Sequence, residues 1–351
     1  MSGGPQNFLK RVSKELSNFD LPLFDIVNPN PNQMHLFNKK NTLKVARMDG
    51  AIYYKVTSRN LFNLIKQRRE NFTKIFSFLN YIPNNSTMFL NGMLNNYLNR
   101  YSRKLQKQSD MIIFQSKLSK KMQDTFVGDY YKNKPHTIIL NGVPTDIFNP
   151  KIEKFSLDGF PKLVITASFR LHKRLQDAIS ITNKLKQKYP NIKLHILGNM
   201  DILTQSCINK LDLENCLFHG KLNSESLPNF YNSCDIGLSP SIYDPCPNSV
   251  VEMMACGLPV ISVNESGASE LLGCDDLVIS ENLELNYYEL QTQSRLPKVN
   301  IQKWVYLIEK ILDNRKYYSD IVLERIEKEL DIKIVAKKYA KFIVENKNAF
   351  G

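Results

Sequence analysis

Asp235–Gly273 reads DIGLSPSIYDPCPNSVVEMMACGLPVISVNESGASELLG. It opens on a short apolar run, DIGLS at 235–239, breaks at Pro240, and passes into a turn-forming segment, Asp244-Pro245-Cys246-Pro247-Asn248-Ser249. An apolar helix pattern follows over 248–256, with Asn248 or Ser249 as its expected cap. A strand pattern at 259–263 and a further loop, Ser266-Gly267 with Glu270, complete the stretch. Strand, loop, helix, strand is the repeating unit of a parallel sheet covered by helices. Ligands of such sheets bind beyond the carboxyl ends of the strands. Asp244 and Glu252 lie on either side of the turn, so both carboxylates are expected at one strand-end cleft.

Upstream the same alternation continues. KLVITA at 162–167 reads as a buried strand, and 174–189 as a helix with apolar residues at helical spacing, ended by Pro190-Asn191. IKLHIL at 192–197 is the next strand and stops at Gly198. A helix near 201–211, a strand at 216–219 and a helix at 225–233 follow. The first half is less regular. A helix is predicted over 7–18, after Gly3-Gly4-Pro5. Apolar segments stand at 23–27, 43–46, 74–79 and 111–114, helical stretches at 58–70 and 93–108, and strand ends running into loops at 112–116 and 137–143. Amphipathic helices are predicted at 301–313 and 332–346. The fold class is therefore α/β, with two Rossmann-like domains, 1–150 and 151–330, facing each other across a cleft.

Composition agrees with a globular chain. Of 351 residues, 42% are hydrophobic and 23% charged, a size that suits two domains. The net charge of +13 is one-sided. Residues 1–150 carry 22 Lys and Arg against 9 Asp and Glu, whereas 151–351 carry 25 of each. Either a solvated lysine-rich face or an anionic partner of the first half explains this: a phospholipid surface, a phosphorylated substrate or nucleic acid. No recognition-helix, RNP or zinc pattern supports nucleic acid. The six cysteines, from Cys207 to Cys274, form no CxxC pair and read as free thiols of a reducing compartment. No run approaches the ~20 apolar residues that span a bilayer, and Met1–Pro5 does not read as a signal peptide. The expected location is cytoplasmic, with the chain able to rest on a membrane.

Four features converge on the strand ends of the second half. Arg170, Lys173 and Arg174, in SFRLHKR, follow the strand at 162–167, where cations beside a helix start suit a diphosphate. Asp244 and the turn 245–249 precede a helix whose first amides favour an anion, and Glu252 projects one turn later. Gly198 and Gly220 end strands, where a missing side chain lets a ligand approach the backbone. Ser266-Gly267 with Glu270 forms another loop on the same edge. Each alone reads equally as a surface cation, a turn residue or a first-turn charge. No Asp-x-Asp pair occurs anywhere, so no metal site is expected and fixed cations with helix amides would carry the electrostatics.

Taken together, KLVITASFRLHKRLQDAI, IKLHILGNM, FHGKL, FYNSCDIGLSPS and DPCPNSVVEMMACGLPVI resemble the family 4 retaining glycosyltransferases of the GT-B fold, in order and spacing across 162–273. The resemblance implies a nucleoside-diphosphate-sugar donor held mainly by the second domain. It implies Arg170 and Lys173 on the diphosphate, Glu252 on the ribose and Asp244 on the donor sugar, as catalytic or donor-binding groups. Most members carry Glu where this chain has Asp244. It further implies amides of Pro247–Asn248–Ser249 toward phosphate or sugar, and Gly220 and Lys221 near the base, with Gly198 at the same edge. Gly3 and Gly4 are similar to the glycine loop after the family's first strand, which the first domain is then expected to lack. NGVPTDIFNP at 141–150 is similar to the family's segment leading into its linker. ARMDG at 46–50 is similar to a loop near acceptor pockets, which makes Arg47 and Asp49 acceptor candidates, and FQSKLSK puts Ser116 near the cleft. The segment 331–351 is expected to cross back onto the first domain as a helix.

The expected reaction is metal-independent transfer of a hexose-type sugar to a glycan or glycolipid acceptor with retention, with no cofactor. A sugar-nucleotide epimerase, a phosphorylase on the same fold and a binding subunit without turnover are the alternatives.

Overall fold

The computed structural model describes residues 4–29, 42–49, 99–281 and 299–347. Gly3 and the segments predicted at 58–70 and 74–79 lie outside the described residues. Two parallel sheets organise the chain. The first contains β1 (Phe24–Val27), β2 (Leu43–Met48), β3 (Met111–Phe114) and β4 (His136–Ile138), in spatial order β1-β2-β3-β4. The second contains β5 (Lys162–Thr166), β6 (Lys193–Leu197), β7 (Cys216–Gly220), β8 (Ile236–Ser239), β9 (Val260–Val263) and β10 (Val278–Ile279), in order β10-β9-β8-β5-β6-β7. Every described pairing within the sheets is parallel. Burial on both faces makes central strands apolar throughout, as MIIF in β3 and VISV in β9 show: all their residues are buried.

Helices cover the sheets: α1 (Gly4–Leu16), α2 (Arg100–Gln108), α3 (Lys117–Phe126), α4 (Leu175–Leu185), α5 (Ile202–Ile208), α6 (Leu227–Asn232), α7 (Asn248–Ala255), α8 (Gly267–Leu272), α9 (Ile301–Asp313), α10 (Arg315–Arg325) and α11 (Ile332–Asn346). The helical period chooses the buried face. In α4, Leu175, Ala178, Ile179, Thr182 and Leu185 face inward, and in α9, Trp304, Leu307, Ile308 and Ile311 do. A side-chain cap starts α9, where Asn300 accepts from the amide of Lys303.

The second sheet changes direction at β5. The chain winds outward through β6 and β7, then returns to β5's other side to add β8, β9 and β10. The carboxyl ends of β5 and β8 therefore flank the crevice of a doubly wound sheet. Among the described residues α1 precedes every strand, and β1 pairs directly with β2.

The last of the described helices packs into the first sheet's core. Ile332, Val335, Ala336, Tyr339, Ala340 and Ile343 of α11 cluster with Phe8, Leu9, Val12 and Leu16 of α1. Burying aliphatic and aromatic side chains of this size stabilises by about 1.5–3 kcal/mol each. The crossing is pinned where Val143 bridges to Asp331: Val143 N donates to Leu330 O and Ile332 N donates to Val143 O, both at 2.9 Å. Among the described residues no helix is long and apolar enough to cross a membrane.

Candidate functional site

A cleft of about 630 Å³ lies between the two sheets. That is ample for a small-molecule site. Its second-sheet wall is made of strand ends locked in register. Ala167 N donates to Leu197 O at 3.1 Å, Phe169 N to Asn199 O at 2.8 Å, and Gly198 N to Gly220 O at 2.7 Å. Gly198 has φ +126°, and a Cβ there would stand 1.8 Å from the carbonyl oxygen of Ala167. Only glycine fits this position. Ser168, Gly198, Asn199, Lys221, Ser239 and Ser241 line this wall.

Lys173 ends a single helical turn, Leu171–Lys173, directly after the β5 loop. Its ammonium pairs with Asp244, and both groups line the cleft. Asp244 is fixed by its surroundings. Tyr243 before it holds φ 55°, a left-handed conformation that costs a bulky residue about 1–3 kcal/mol and recurs at functional sites. Gly267 N donates to Asp244 O at 2.8 Å, and a Cβ on Gly267 would reach within 1.8 Å of Pro245 O. The loop 244–246 thus lies directly on the backbone that opens α8.

Helix α7 begins at Asn248, which makes Pro247 its N-cap residue. The expected cap by Asn248 or Ser249 is not formed, because both already lie inside the helix. Proline has no side-chain oxygen, so no side chain of the N-cap residue binds the first amides. Pro247, Asn248 and Ser249 all line the cleft, and the uncapped helix start adds positive potential there.

Glu252 sits one turn deeper, buried, and does not line the cleft. Its Oε1 accepts from Arg11 Nη1 on α1 at 2.8 Å. Burial raises the carboxyl's pKa, and the Arg11 charge and hydrogen bond oppose the rise. Glu252 is therefore a carboxylate already bound by a cation of α1, a helix of the first sheet's core.

The opposite wall presents Asn7, Asp49, Gln115 and Asn141. Arg47 is fully buried behind it and touches no ligand space. Its guanidinium donates to Asp49 Oδ1 at 2.6 Å, Gln115 Oε1 at 2.7 Å and Asn141 Oδ1 at 2.5 Å, and lies 4.5 Å from the Phe8 ring centroid. Burial raises the Asp49 pKa, with Arg47 opposing. Of the two acceptor candidates, Asp49 reaches the cleft and Arg47 supports it. Ser116 is buried and caps α3, accepting from the amide of Ser119.

Other expected residues stand apart. Arg170 is exposed and outside the lining, because it precedes the turn that aims Lys173 inward. Arg174 is buried and donates to Asp177 Oδ2 at 2.6 Å. Gly220 is exposed beside Lys221 and does not line the cleft. Gly4 opens α1, and Asn7 of that helix lines the cleft. Sequence reasoning passed over Ser168, Asn199 and the whole Asn7–Gln115–Asn141 wall, since uncharged polar residues in loops carry no pattern. Among the described residues no group of three or more His, Cys, Asp or Glu is placed to hold a metal ion.

The profile of the family described as glycosyl transferases group 1 matches residues 149–324. An uncharacterized glycosyltransferase of Methanocaldococcus jannaschii is 32% identical over 151 residues, which cover 42% of this chain and 36% of that protein. The match thus spans little more than a third of that relative's length. Sucrose-phosphate synthase of Thermosynechococcus elongatus superposes with a TM-score of 0.61 at 14% identity, over 98% of this chain and 78% of that one. HepE of Anabaena, solved in complex with UDP, superposes with a TM-score of 0.57 at 14% identity, over 96% and 82%. At such identity the likeness establishes the shared GT-B fold of two facing α/β units. The profile covers half of the chain, on the sheet that carries Lys173, Asp244 and Glu252, and the chain belongs to the glycosyl transferases group 1 family.

Proposed function

We propose that the chain transfers a hexose-type sugar from a nucleoside-diphosphate donor to a hydroxyl of a glycan or glycolipid, with retained configuration and without a metal ion. The observation that carries this reading is the Lys173–Asp244 pair beside the side-chain-uncapped start of α7, at the crevice of the second sheet. In the reaction the bond from the sugar's anomeric carbon to the diphosphate oxygen breaks. The acceptor oxygen bonds to that carbon, its proton is released, and the diphosphate leaves with the electron pair. Negative charge grows on the diphosphate, and Lys173, Lys221 and the α7 amides offset it. Asp244 orients the sugar from below, and Asp49 faces the acceptor from the opposite wall. Glu252 holds the ribose once Arg11 shares or yields it.

The basic first half suits an acceptor carried on an anionic membrane, with the chain at its cytoplasmic face. Helices α2 and α3 present Arg100, Arg103, Lys104, Lys107, Lys117, Lys120 and Lys121, and cations near such a surface contribute about 1 kcal/mol each.

A thermal-shift panel of UDP-, GDP- and ADP-sugars tests the reading, because a ligand that binds the native state raises its apparent stability. One nucleotide class should raise Tm in the wild type and not in Lys173→Ala. A flat response to every class would remove the proposal.

A further inference from the structure

We propose that Asn141 is a positioning residue that sets the donor loop 244–249 against the acceptor-side wall. The inference rests on the donor-binding reading given above. Asn141 is 2% exposed, and its amide spends its capacity on both halves of the molecule. Oδ1 accepts from Arg47 Nη2 at 2.5 Å. Nδ2 donates to Cys246 O at 3.0 Å and to Asn248 Oδ1 at 2.8 Å. Its own backbone amide points at Cys246 Sγ, 3.4 Å away. A guanidinium only donates, so the oxygen must face Arg47 and the NH₂ must face the loop. The orientation follows from chemistry rather than choice.

The loop needs such support. Pro245 and Pro247 supply no amide hydrogens, and the N-cap residue of α7 has no side-chain oxygen. Gly267 grips the loop from beneath at Asp244 O. Asn141 grips it from the other sheet at Cys246 and Asn248, which are both lining residues of the cleft. Arg47, held by Asp49 and Gln115, fixes Asn141 in turn. The acceptor carboxylate Asp49 and the first turn of α7 are thereby set by one buried chain, Asp49–Arg47–Asn141–Asn248. Asp49, on the proposed acceptor side, and the start of α7, whose amides would receive a diphosphate, are thus linked through Asn141.

The test compares Asn141→Ala and Asn141→Asp in the full chain. Asn141→Asp keeps an oxygen for Arg47 but sets a carboxylate oxygen against the backbone carbonyl of Cys246, which has no proton to donate. A residue that merely satisfied Arg47 would be rescued by Asp; one that anchors the loop would not. The probes are inorganic pyrophosphate, titrated calorimetrically, and hydrogen exchange of the amides at 249–251. Both variants should weaken pyrophosphate at least about tenfold and speed exchange at those amides, with Asp no better than Ala. Asn248→Ser alone, and combined with Asn141→Asp, should be non-additive, which covers the case where one variant folds poorly. Wild-type affinity or unchanged exchange in Asn141→Asp would overturn the inference and leave the donor site standing. Failure of the wild type itself to bind pyrophosphate would overturn both.

Discussion

Arg11 of α1 donates from Nη1 to Oε1 of Glu252 at 2.8 Å, joining the helix beside the first sheet to α7, the helix that follows the loop 244–247. The two side chains are 20% and 10% exposed. Removing one partner strands the other in a site that water reaches poorly, which costs about 1–3 kcal/mol. Arg11→Ala should therefore lower stability in urea unfolding by that order, and Arg11→Ala with Glu252→Gln should lose much less than the sum. A sugar nucleotide should stabilise Arg11→Ala more than the wild type, because its ribose takes over the vacated carboxylate. Strict additivity, or equal stabilisation, would show that the pair is incidental to the site.

Lys173 and Asp244 neutralise each other on the second-sheet wall of the cleft, so their substitutions should act in opposite directions on anion binding. Lys173→Ala should weaken pyrophosphate by tenfold or more, since a charge-assisted contact to an oxyanion is worth about 1.5–3 kcal/mol. Asp244→Asn should tighten pyrophosphate, by releasing the ammonium, and still abolish sugar transfer. Calorimetric titration of both variants decides this. Equal weakening in both would mean that the carboxylate serves only to hold the loop.

Glu270 of α8 joins the halves at another point. Its carboxylate accepts from the amides of Lys117 at 2.8 Å and Leu118 at 3.0 Å, at the start of α3. An acid at a helix N-terminus satisfies free amides and complements the dipole. Glu270→Ala should cost about 0.5–2 kcal/mol and speed hydrogen exchange at the start of α3. Protection there that survives the substitution would mean that Ser116 alone holds the helix start.

Acid should destabilise the fold through two histidines. Burial, together with the neighbouring Lys173 charge, lowers the His172 pKa from 6.5 to about 3, with Asp244 opposing and Arg170 assisting. Burial lowers that of His195 to about 4, assisted by His219, on which its ring stacks. Both stay neutral when folded and take a proton at 6.5 once unfolded. Their contribution is complete above pH 6.5 and is lost as pH falls toward the folded values. His172→Asn should flatten the fall of Tm between pH 6.5 and 4 without erasing it, and a profile identical to the wild type would contradict the assignment.

The second half was legible because its central parallel strands are buried on both faces. Runs such as KLVIT and VISV admit no other reading once helices with regular apolar spacing separate them. Lys173, Asp244, Asn248 and Ser249 were accessible for the same reason, since each follows a readable strand or opens a readable helix. Three things were not. β10 has only two residues, too short for a period. The aim of Arg170 depends on a single turn after β5: Arg170 is the extended residue before that turn and stays in solvent, whereas Lys173 ends it and lines the cleft. The Arg11–Glu252 bond joins residues 241 positions apart and exists only where the two halves meet; the Arg47–Asn141 bond joins residues 94 positions apart, which only the pairing of β2, β3 and β4 in one sheet brings together.

On the proposed reading, Lys173 and the start of α7 hold the pyrophosphate of an activated sugar. The most direct measurement is a crystal structure of the chain with whichever of UDP-, GDP- or ADP-glucose raises its Tm most. The account predicts diphosphate oxygens within ~3 Å of Lys173 Nζ and of backbone amides at 248–249, with the ribose hydroxyls at Glu252. A donor seated away from the loop 244–249, with the Lys173–Asp244 pair undisturbed, would contradict it.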